Sequence, residues 1–97
     1  MNKAVIHPPV EKFVKSLAPE PRQRIVRALK ALPDGDCKAL EGRLAGYLRL
    51  RVGGYRIVYS DSVKHGVRTF DCVFAERRAV VYELFEQILV EQAMSGR

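Results

Sequence analysis

The residues of this sequence with the clearest chemical potential are arginines that alternate with apolar residues over positions 47–59. This segment reads Y-L-R-L-R-V-G-G-Y-R-I-V-Y, which is two alternating runs separated by Gly53-Gly54. A two-residue glycine loop between such runs predicts a β-hairpin with a primed turn, because glycine adopts a positive φ without steric cost. The short loop also sets the register, which places Arg51 opposite Arg56.

Alternation with period two predicts one apolar and one basic face for this hairpin. The expected core face carries Leu48, Leu50, Val52, Tyr55, Ile57 and Tyr59. The other face carries Tyr47, Arg49, Arg51, Arg56 and Val58.

The basic face breaks a local rule, since like charges directly opposite each other destabilise a strand pair. No acidic residue occurs between Glu41 and Asp61 to offset Arg51 and Arg56. Broken local rules tend to mark functional sites, so we interpret this face as an anion site with phosphate as the expected ligand. The alternative is a solvated strand face that happens to be basic, with arginine stems covering apolar surface.

Composition favours a small globular domain with an anionic partner. The chain has 97 residues and a net charge of +6, from 17 basic and 11 acidic residues. This length predicts a single domain, 1–97. A basic domain of this size favours nucleic acid or another polyanion, although an acidic protein would use the same charge.

Several classes of protein are not favoured. No run of about 18 apolar residues is present, so we expect no membrane span. The first residues reach Pro8-Pro9 too soon for a signal peptide, and we expect a cytoplasmic protein. Cys37 and Cys72 lack the spacing of metal ligands, so no metal, no cofactor and no disulfide are expected.

The first half of the chain predicts a strand and two helices. Residues 4–6 form a short apolar run before the proline pair. Apolar residues then recur at helical spacing, first from Val10 to Leu17 and again from Ile25 to Leu32. The second helix carries a basic side, expected to be solvated or to contact an anionic partner: Arg22, Arg24, Arg27 and Lys30. Residues 34–46 are expected to be mostly loop.

The sequence of the second half predicts a further strand and a C-terminal helix. Residues 61–66 read as a polar connection after the hairpin, and residues 67–75 as a further strand with Phe70, Cys72 and Phe74 on one face. From Ala79 the apolar period changes to that of a helix. His7 and His65 are isolated histidines, and neither is expected to be catalytic.

The resulting order, β-α-α-β-β-β-α, predicts an α+β fold. Two N-terminal helices pack on one face of a small, mostly antiparallel sheet, and a C-terminal helix follows. We expect the second face of the sheet to be open to solvent or ligand, with the hairpin arginines on it.

Three stretches together resemble the RelE/ParE superfamily of toxins from type II toxin–antitoxin modules. These are the helical hairpin that ends at Leu32, the segment L-E-G-R-L-A-G-Y-L-R-L-R-V-G-G-Y-R-I-V-Y at 40–59, and E-R-R-A-V-V-Y at 76–82. The resemblance covers nearly the whole chain, and its middle motif is the most specific part. It implies a RelE-like, microbial-RNase-type fold and a co-expressed antitoxin that wraps the basic face.

The resemblance leaves two activities open. RelE-like members are endonucleases that cut mRNA on the ribosome and so inhibit translation. ParE-like members share the fold and inhibit DNA gyrase without catalysis. The retained arginines favour the RelE-like branch, and a plain RNA-binding module is a third possibility.

The resemblance also implies site residues. Arg51 and Arg56 match the family's hairpin arginines, and Arg78 and Tyr82 match its C-terminal motif. Arg49 stands where RelE-type nucleases often have lysine. The residues expected to be catalytic are therefore Arg49, Arg51, Arg56, Arg78 and Tyr82, with Tyr47, Arg43 and Arg77 as further RNA contacts.

The implied chemistry is metal-independent attack of a ribose 2′-OH on its own phosphate. Guanidinium groups suit the developing negative charge, and a tyrosine such as Tyr82 can stack on a base. Tyr82 could instead belong to the core, and Arg78 could pair with Glu76 or Glu83. The general base is not identified, because arginine is too basic for that role and Tyr47 replaces an expected basic residue. Tyr47 itself or a ribosomal group could supply it.

Overall fold

The computed structural model describes residues 2–95, which fold as a five-stranded mixed sheet with three α-helices. Strands run over β1 Asn2–Ile6, β2 Asp36–Ala39, β3 Leu48–Val52, β4 Tyr55–Lys64 and β5 Val67–Arg77; helices run over α1 Pro8–Lys15, α2 Pro19–Lys30 and α3 Val81–Met94. The strand order is β1-β5-β4-β3-β2, with only β1 parallel to its neighbour. The predicted α+β class is confirmed.

The two N-terminal helices cover the first face of the sheet, as the sequence predicts. Both begin with proline, which suits the first helical turn because its missing N–H has no intrahelical acceptor there. Their apolar stripes meet the core face of the hairpin in one cluster of buried residues. It comprises Val10, Val14, Leu17, Ile25, Leu29, Leu32, Leu50, Ile57, Tyr59, Phe70, Cys72 and Ala75.

The β3–β4 hairpin has the predicted register, with Arg51 paired to Arg56 and Val52 to Tyr55. Gly53 has a φ of +58° and Gly54 lies outside the left-handed region, the pattern of a type II′ turn. The Arg56 guanidinium holds this turn closed. Its Nη1 donates hydrogen bonds to the carbonyl oxygens of Gly53, at 2.8 Å, and Tyr55, at 2.9 Å.

The predictions of loop at 34–46 and at 61–66 are wrong in part, because each range includes residues of a β-strand. Residues 36–39 form β2, which pairs with β3 at the edge of the sheet. Residues 61–64 extend β4, and the β4–β5 turn is His65-Gly66, with φ values of 52° and 78°. Polar side chains on the protruding end of this second hairpin resemble a loop in the sequence, since that end has little core to cover.

The predicted face of Phe74 is also wrong. Tyr59 pairs with Cys72, but its neighbour Val58 pairs with Phe74, so Val73 is an extra residue in β5. Such a bulge shifts the alternation of side chains by one position. Cys72 therefore stays in the first core, while Phe74 turns to the second face.

The second face is not as open as we expected, because α3 packs on its centre. Val58, Leu44, Val81 and Phe85 form a second buried cluster, which Leu40, Tyr47, Val73, Phe74, Tyr82 and Leu89 border. The apolar Val58 on an otherwise basic face and the bulge that delivers Phe74 provide the surface for this helix. Exposed side chains of this face remain at its two ends, such as Arg51 at one end and Lys64 at the other.

A polar link joins the β1–α1 junction to the sheet. His7 Nε2 lies 3.0 Å from Asp71 Oδ1, and Lys64 Nζ lies 2.7 Å from Asp71 Oδ2. Asp71 is 8% exposed. Hydrogen bonds from Lys64 and His7 hold the pKa of Asp71 below its usual value.

Within residues 2–95, no helix combines the length and the apolar character that a membrane crossing needs.

The two paired arginines are expected to differ in their effect on stability. Arg56 is 8% exposed and bonds the turn, whereas the Arg51 side chain is 51% exposed. We expect Arg56→Ala to lower the free energy of unfolding by about 1–3 kcal/mol, since it leaves two carbonyls without this donor. Arg51→Ala should change it by less than about 0.5 kcal/mol. Urea unfolding at pH 7 measures both, and equal effects would contradict the assigned role of Arg56.

Asp71 is expected to make stability depend on acid pH. Because its pKa is lowered in the folded state, its contribution is present above the unfolded value, near 3.8, and is lost as pH falls through the folded value. Asp71→Asn should cost about 1.5–3 kcal/mol at pH 7, as expected for hydrogen bonds to a charged group.

Urea unfolding of both proteins from pH 7 to pH 2 tests this expectation. The difference should be constant down to about pH 5 and shrink below about pH 4. Asp34→Asn, which alters an exposed aspartate after α2, is the control. A difference that does not change with pH would show that the carboxylate charge is not responsible.

Candidate nucleic-acid interface

Arginines converge at the β3–β4 turn from three strands. The hairpin register brings Arg51 and Arg56 together on the second face. Arg77 ends β5 opposite Tyr55, and its Cζ lies 5.9 Å from the centre of that tyrosine ring. The backbone N–H of Arg78 donates to the carbonyl of Gly54 at 2.9 Å, which ties the segment after β5 to the turn.

Helix α2 contributes a fifth arginine from the other side of the turn. Arg24 approaches so closely that a Cβ built on Gly53 would lie 3.5 Å from Arg24 Nη1. We call Arg24, Arg51, Arg56, Arg77 and Arg78 the arginine cluster. Its members surround the hairpin turn, with Arg51 and Arg56 on the second face and Arg77 beside Tyr55 on the first.

The expectation that no acidic residue offsets the paired arginines is wrong. Asp36 on β2 pairs with Arg51, and Glu76 on β5 pairs with Arg56, so the row across four strands reads acid, arginine, arginine, acid. Both acids lie far from the hairpin in sequence and reach it only through strand pairing. Five arginines against two carboxylates still leave this end of the sheet strongly positive.

The carboxylates do not occupy all of the guanidinium groups. Asp36 Oδ1 accepts a hydrogen bond from Arg49 at 3.1 Å, whereas Arg51 Nε is 4.0 Å from Asp36 Oδ2. Glu76 accepts from the backbone of Arg77 at 2.9 Å. Arg51, Arg77 and Arg78 are exposed and able to bind phosphate oxygens, in the fork geometry that guanidinium groups favour. Arg56 is engaged with the turn.

The remaining predicted site residues lie outside the cluster. Arg49 bonds Asp36, both to its side chain and, at 3.0 Å, to its carbonyl. The Tyr47 ring lies edge-on to Phe85 of α3, with 5.0 Å between centroids. Half-buried Tyr82 packs against the second core cluster, and exposed Arg43 faces Glu86 at 3.9 Å. The roles assigned to these residues remain predictions.

Sequence reasoning missed two contributors. Arg24 was placed on the solvated side of its helix, and no local signal reveals that this side borders the turn. The group of His7, Asp71 and Lys64 was missed because its members are spread over 64 positions and meet only when β1 pairs with β5. An aspartate within an apolar strand run is the single sequence signal that could have indicated it.

The cysteines take no part in this interface. Burial raises the pKa of the Cys72 thiol to about 12, so the thiol is protonated at neutral pH. Burial and the neighbouring Cys37 thiol raise the pKa of Tyr59. Among residues 2–95, no cluster of three or more His, Cys, Asp or Glu side chains could hold a metal ion.

Comparisons of sequence find no relatives. No protein-family model matches the chain, and no curated protein is significantly similar to it.

Comparisons of structure find a toxin and several toxin–antitoxin complexes. The RelBE2 toxin–antitoxin complex of Mycobacterium tuberculosis matches with a TM-score of 0.64 and 20% identity, over 79% of this chain and 98% of the matched chain. A YoeB/ParE toxin of Agrobacterium tumefaciens matches with a TM-score of 0.59 and 21% identity, over 78% and 98%. The archaeal RelE–RelB complex of Pyrococcus horikoshii matches with a TM-score of 0.60 and 26% identity, over 79% and 94%.

These matches span nearly the full length of each matched chain and more than three quarters of this one. The chain therefore has the fold of the RelE/ParE toxin superfamily, as the resemblance of its sequence indicated.

Proposed function

We propose that this protein is the toxin of a type II toxin–antitoxin module and cuts mRNA on the ribosome, in the cytoplasm. The observation that carries the proposal is the arginine cluster, built around the hairpin turn of a RelE/ParE-type fold. Three of its guanidinium groups, those of Arg51, Arg77 and Arg78, are exposed. Such a cluster suits a substrate with closely spaced phosphates.

The proposed reaction is transfer of a phosphoryl group within the RNA. The ribose 2′-oxygen forms a bond to the adjacent phosphorus, the bond from phosphorus to the 5′-oxygen breaks, and negative charge develops on the non-bridging oxygens. Arg51 and Arg78 stabilise this charge, because guanidinium groups remain protonated and need no rearrangement when the charge appears. Arg56 acts through the turn that it bonds, as a positioning residue.

The 2′-hydroxyl proton and the leaving 5′-oxygen each need a proton carrier. Asp36 and Glu76 are the carboxylates beside the cluster, and both contact arginines. Neither is free to accept the 2′-hydroxyl proton while it is held by these arginines. We propose that a ribosomal group takes the 2′-hydroxyl proton and that water gives a proton to the leaving 5′-oxygen, which would make cleavage depend on the ribosome.

The lack of a free general base beside the arginine cluster favours a second candidate, a ParE-like inhibitor of DNA gyrase. Tyr47, the alternative base in this chain, packs against Phe85 beneath α3. A toxin with a positive surface whose neighbouring carboxylates are both held by arginines would suit protein binding. The target then is gyrase and no bond is cut.

A cognate antitoxin is the proposed partner in either case. The matched structures from Mycobacterium tuberculosis and Pyrococcus horikoshii are complexes of toxin with antitoxin. Here the antitoxin would cover the basic surface, so we propose that its contacting segment is acidic.

Cell-free translation with mapping of mRNA 5′ ends tests the activity. We expect wild-type protein to produce cuts at a defined position within codons, and only in actively translated mRNA. Arg51→Ala and Arg78→Ala should each slow cleavage about 100-fold or more, the usual cost of removing one group that stabilises transition-state charge. Neither substitution removes a side chain that bonds the turn.

Arg27→Ala is the matched control, since it removes an exposed arginine of α2 that lies outside the cluster. We expect it to leave cleavage within about twofold of wild type, because screened surface charges contribute little. Intact mRNA together with trapped gyrase–DNA complexes would overturn the nuclease proposal in favour of the gyrase inhibitor.

A further inference from the structure

A second polar group lies on the same face as Arg56, at the opposite end of the sheet. Parallel pairing of β1 with β5 places Val5 beside Asp71, and the His7 backbone N–H donates to the Cys72 carbonyl at 3.0 Å. The His7 imidazole therefore reaches the Asp71 carboxylate from one side. Lys64 reaches it from the β4–β5 turn.

Asp71 fixes both the orientation and the tautomer of His7. Its pKa is lowered, so the carboxylate is ionised at neutral pH and can only accept hydrogen bonds. The Nε2 atom of His7, 3.0 Å away, must then carry the proton. In the neutral ring, Nδ1 is left as a hydrogen-bond acceptor. The His7 side chain is 40% exposed, so a ligand can reach it.

His7 lines a cavity of about 220 Å³ between the start of α1, the bulge of β5 and α3. Three aromatic residues contribute to the walls: Tyr47, Phe74 and Phe85. Gln92 on α3 adds an amide, which can both donate and accept. Pockets for whole drug-sized ligands usually exceed about 300 Å³, so this cavity suits one planar ring system.

We propose that this cavity binds one unpaired nucleobase of the RNA whose backbone contacts the arginine cluster, an inference that rests on the proposed function. Unpaired bases are commonly held by stacking on aromatic side chains and by hydrogen bonds to their edges. Half-buried Tyr47 and Phe74 provide the stacking surface, because Phe85 is only 4% exposed and is itself stacked on Phe74. Nδ1 of His7 and the amide of Gln92 provide an acceptor and a donor for the base edge.

The distance between Asp71 and Glu76 along β5 excludes His7 as the general base of the proposed cleavage. Asp71 and Glu76, the partner of Arg56, are five residues apart, which is roughly 15 Å of extended strand. His7 is therefore too far away to take a proton from a ribose whose phosphate Arg51 holds beside Arg56. The cavity binds a nucleotide other than the one that is cut and contributes to sequence preference.

Titration of single nucleotides, monitored by NMR of the histidine side chains, tests this inference. The probes are AMP, GMP, CMP and UMP, with ribose 5-phosphate as the control that lacks a base. We expect at least one nucleotide to shift the His7 ring signals in a saturable manner. Ribose 5-phosphate should leave them unchanged, and the exposed His65 in the β4–β5 turn should respond to none of the probes.

Variants identify the contacts. Gln92→Ala should weaken the best nucleotide at least fivefold without altering the fold, since Gln92 is exposed on α3. His7→Asn keeps a polar side chain at the junction and should abolish discrimination among the four bases, measured from backbone amide shifts. Absence of a saturable shift with all four nucleotides, or an equal shift with ribose 5-phosphate, would overturn the proposal.

Failure of the cavity proposal can be distinguished from failure of the proposed nuclease function. An unstructured RNA oligonucleotide that binds in a fluorescence anisotropy assay, with salt-dependent affinity lost in Arg51→Ala, supports the arginine cluster alone. If that binding persists while the His7 signals remain silent, the cavity proposal fails and the proposed function stands. If mRNA remains uncut but nucleotides still shift His7, the nuclease proposal fails and the cavity remains a base-binding site.

Discussion

The register of the β3–β4 hairpin is the constraint on which the rest of this structure depends. A turn of two glycines leaves one pairing, and a slip of one residue would move every side chain to the opposite face. Leu50, Ile57 and Tyr59 would then leave the first core, where they are nearly fully buried. The same parity places Arg51 beside Arg56, so the core and the arginine cluster are fixed by one turn.

The fold tolerates this concentration of arginine because the neighbouring strands contribute opposite charge. Asp36 and Glu76 bracket the arginine pair across the sheet, and the carbonyls of the turn bind Arg56. Charge repulsion is thereby reduced without being cancelled. The positive charge that is not compensated lies on the exposed residues Arg51, Arg77 and Arg78, where an anionic partner can bind.

The second face is divided into three parts by α3. This helix covers the centre of the sheet, where Val58 and Phe74 supply apolar surface. The arginine cluster is left at one end, and the group of His7, Asp71 and Lys64 at the other. An RNA strand that contacts both ends has to pass around α3, which separates them.

The sequence by itself determined what depends on short range. Helical and strand periods, proline at the helix starts and the glycine turn were sufficient for the α+β class, the hairpin register and the arginine pair. Local patterns fail where residues distant in sequence become neighbours. Only the tertiary structure decided that Asp36, Glu76 and Arg24 join the arginines, since strand order and helix docking bring them there.

The same limit explains the errors on the second face. No local pattern in the sequence indicates the bulge at Val73. This one extra residue places Phe74 on the second face, where it packs against α3. The parallel β1–β5 pairing likewise joined His7 to Asp71 across 64 positions. Alternation along a single strand specifies which residues share a face. What covers that face is decided by packing between elements, which no single segment encodes.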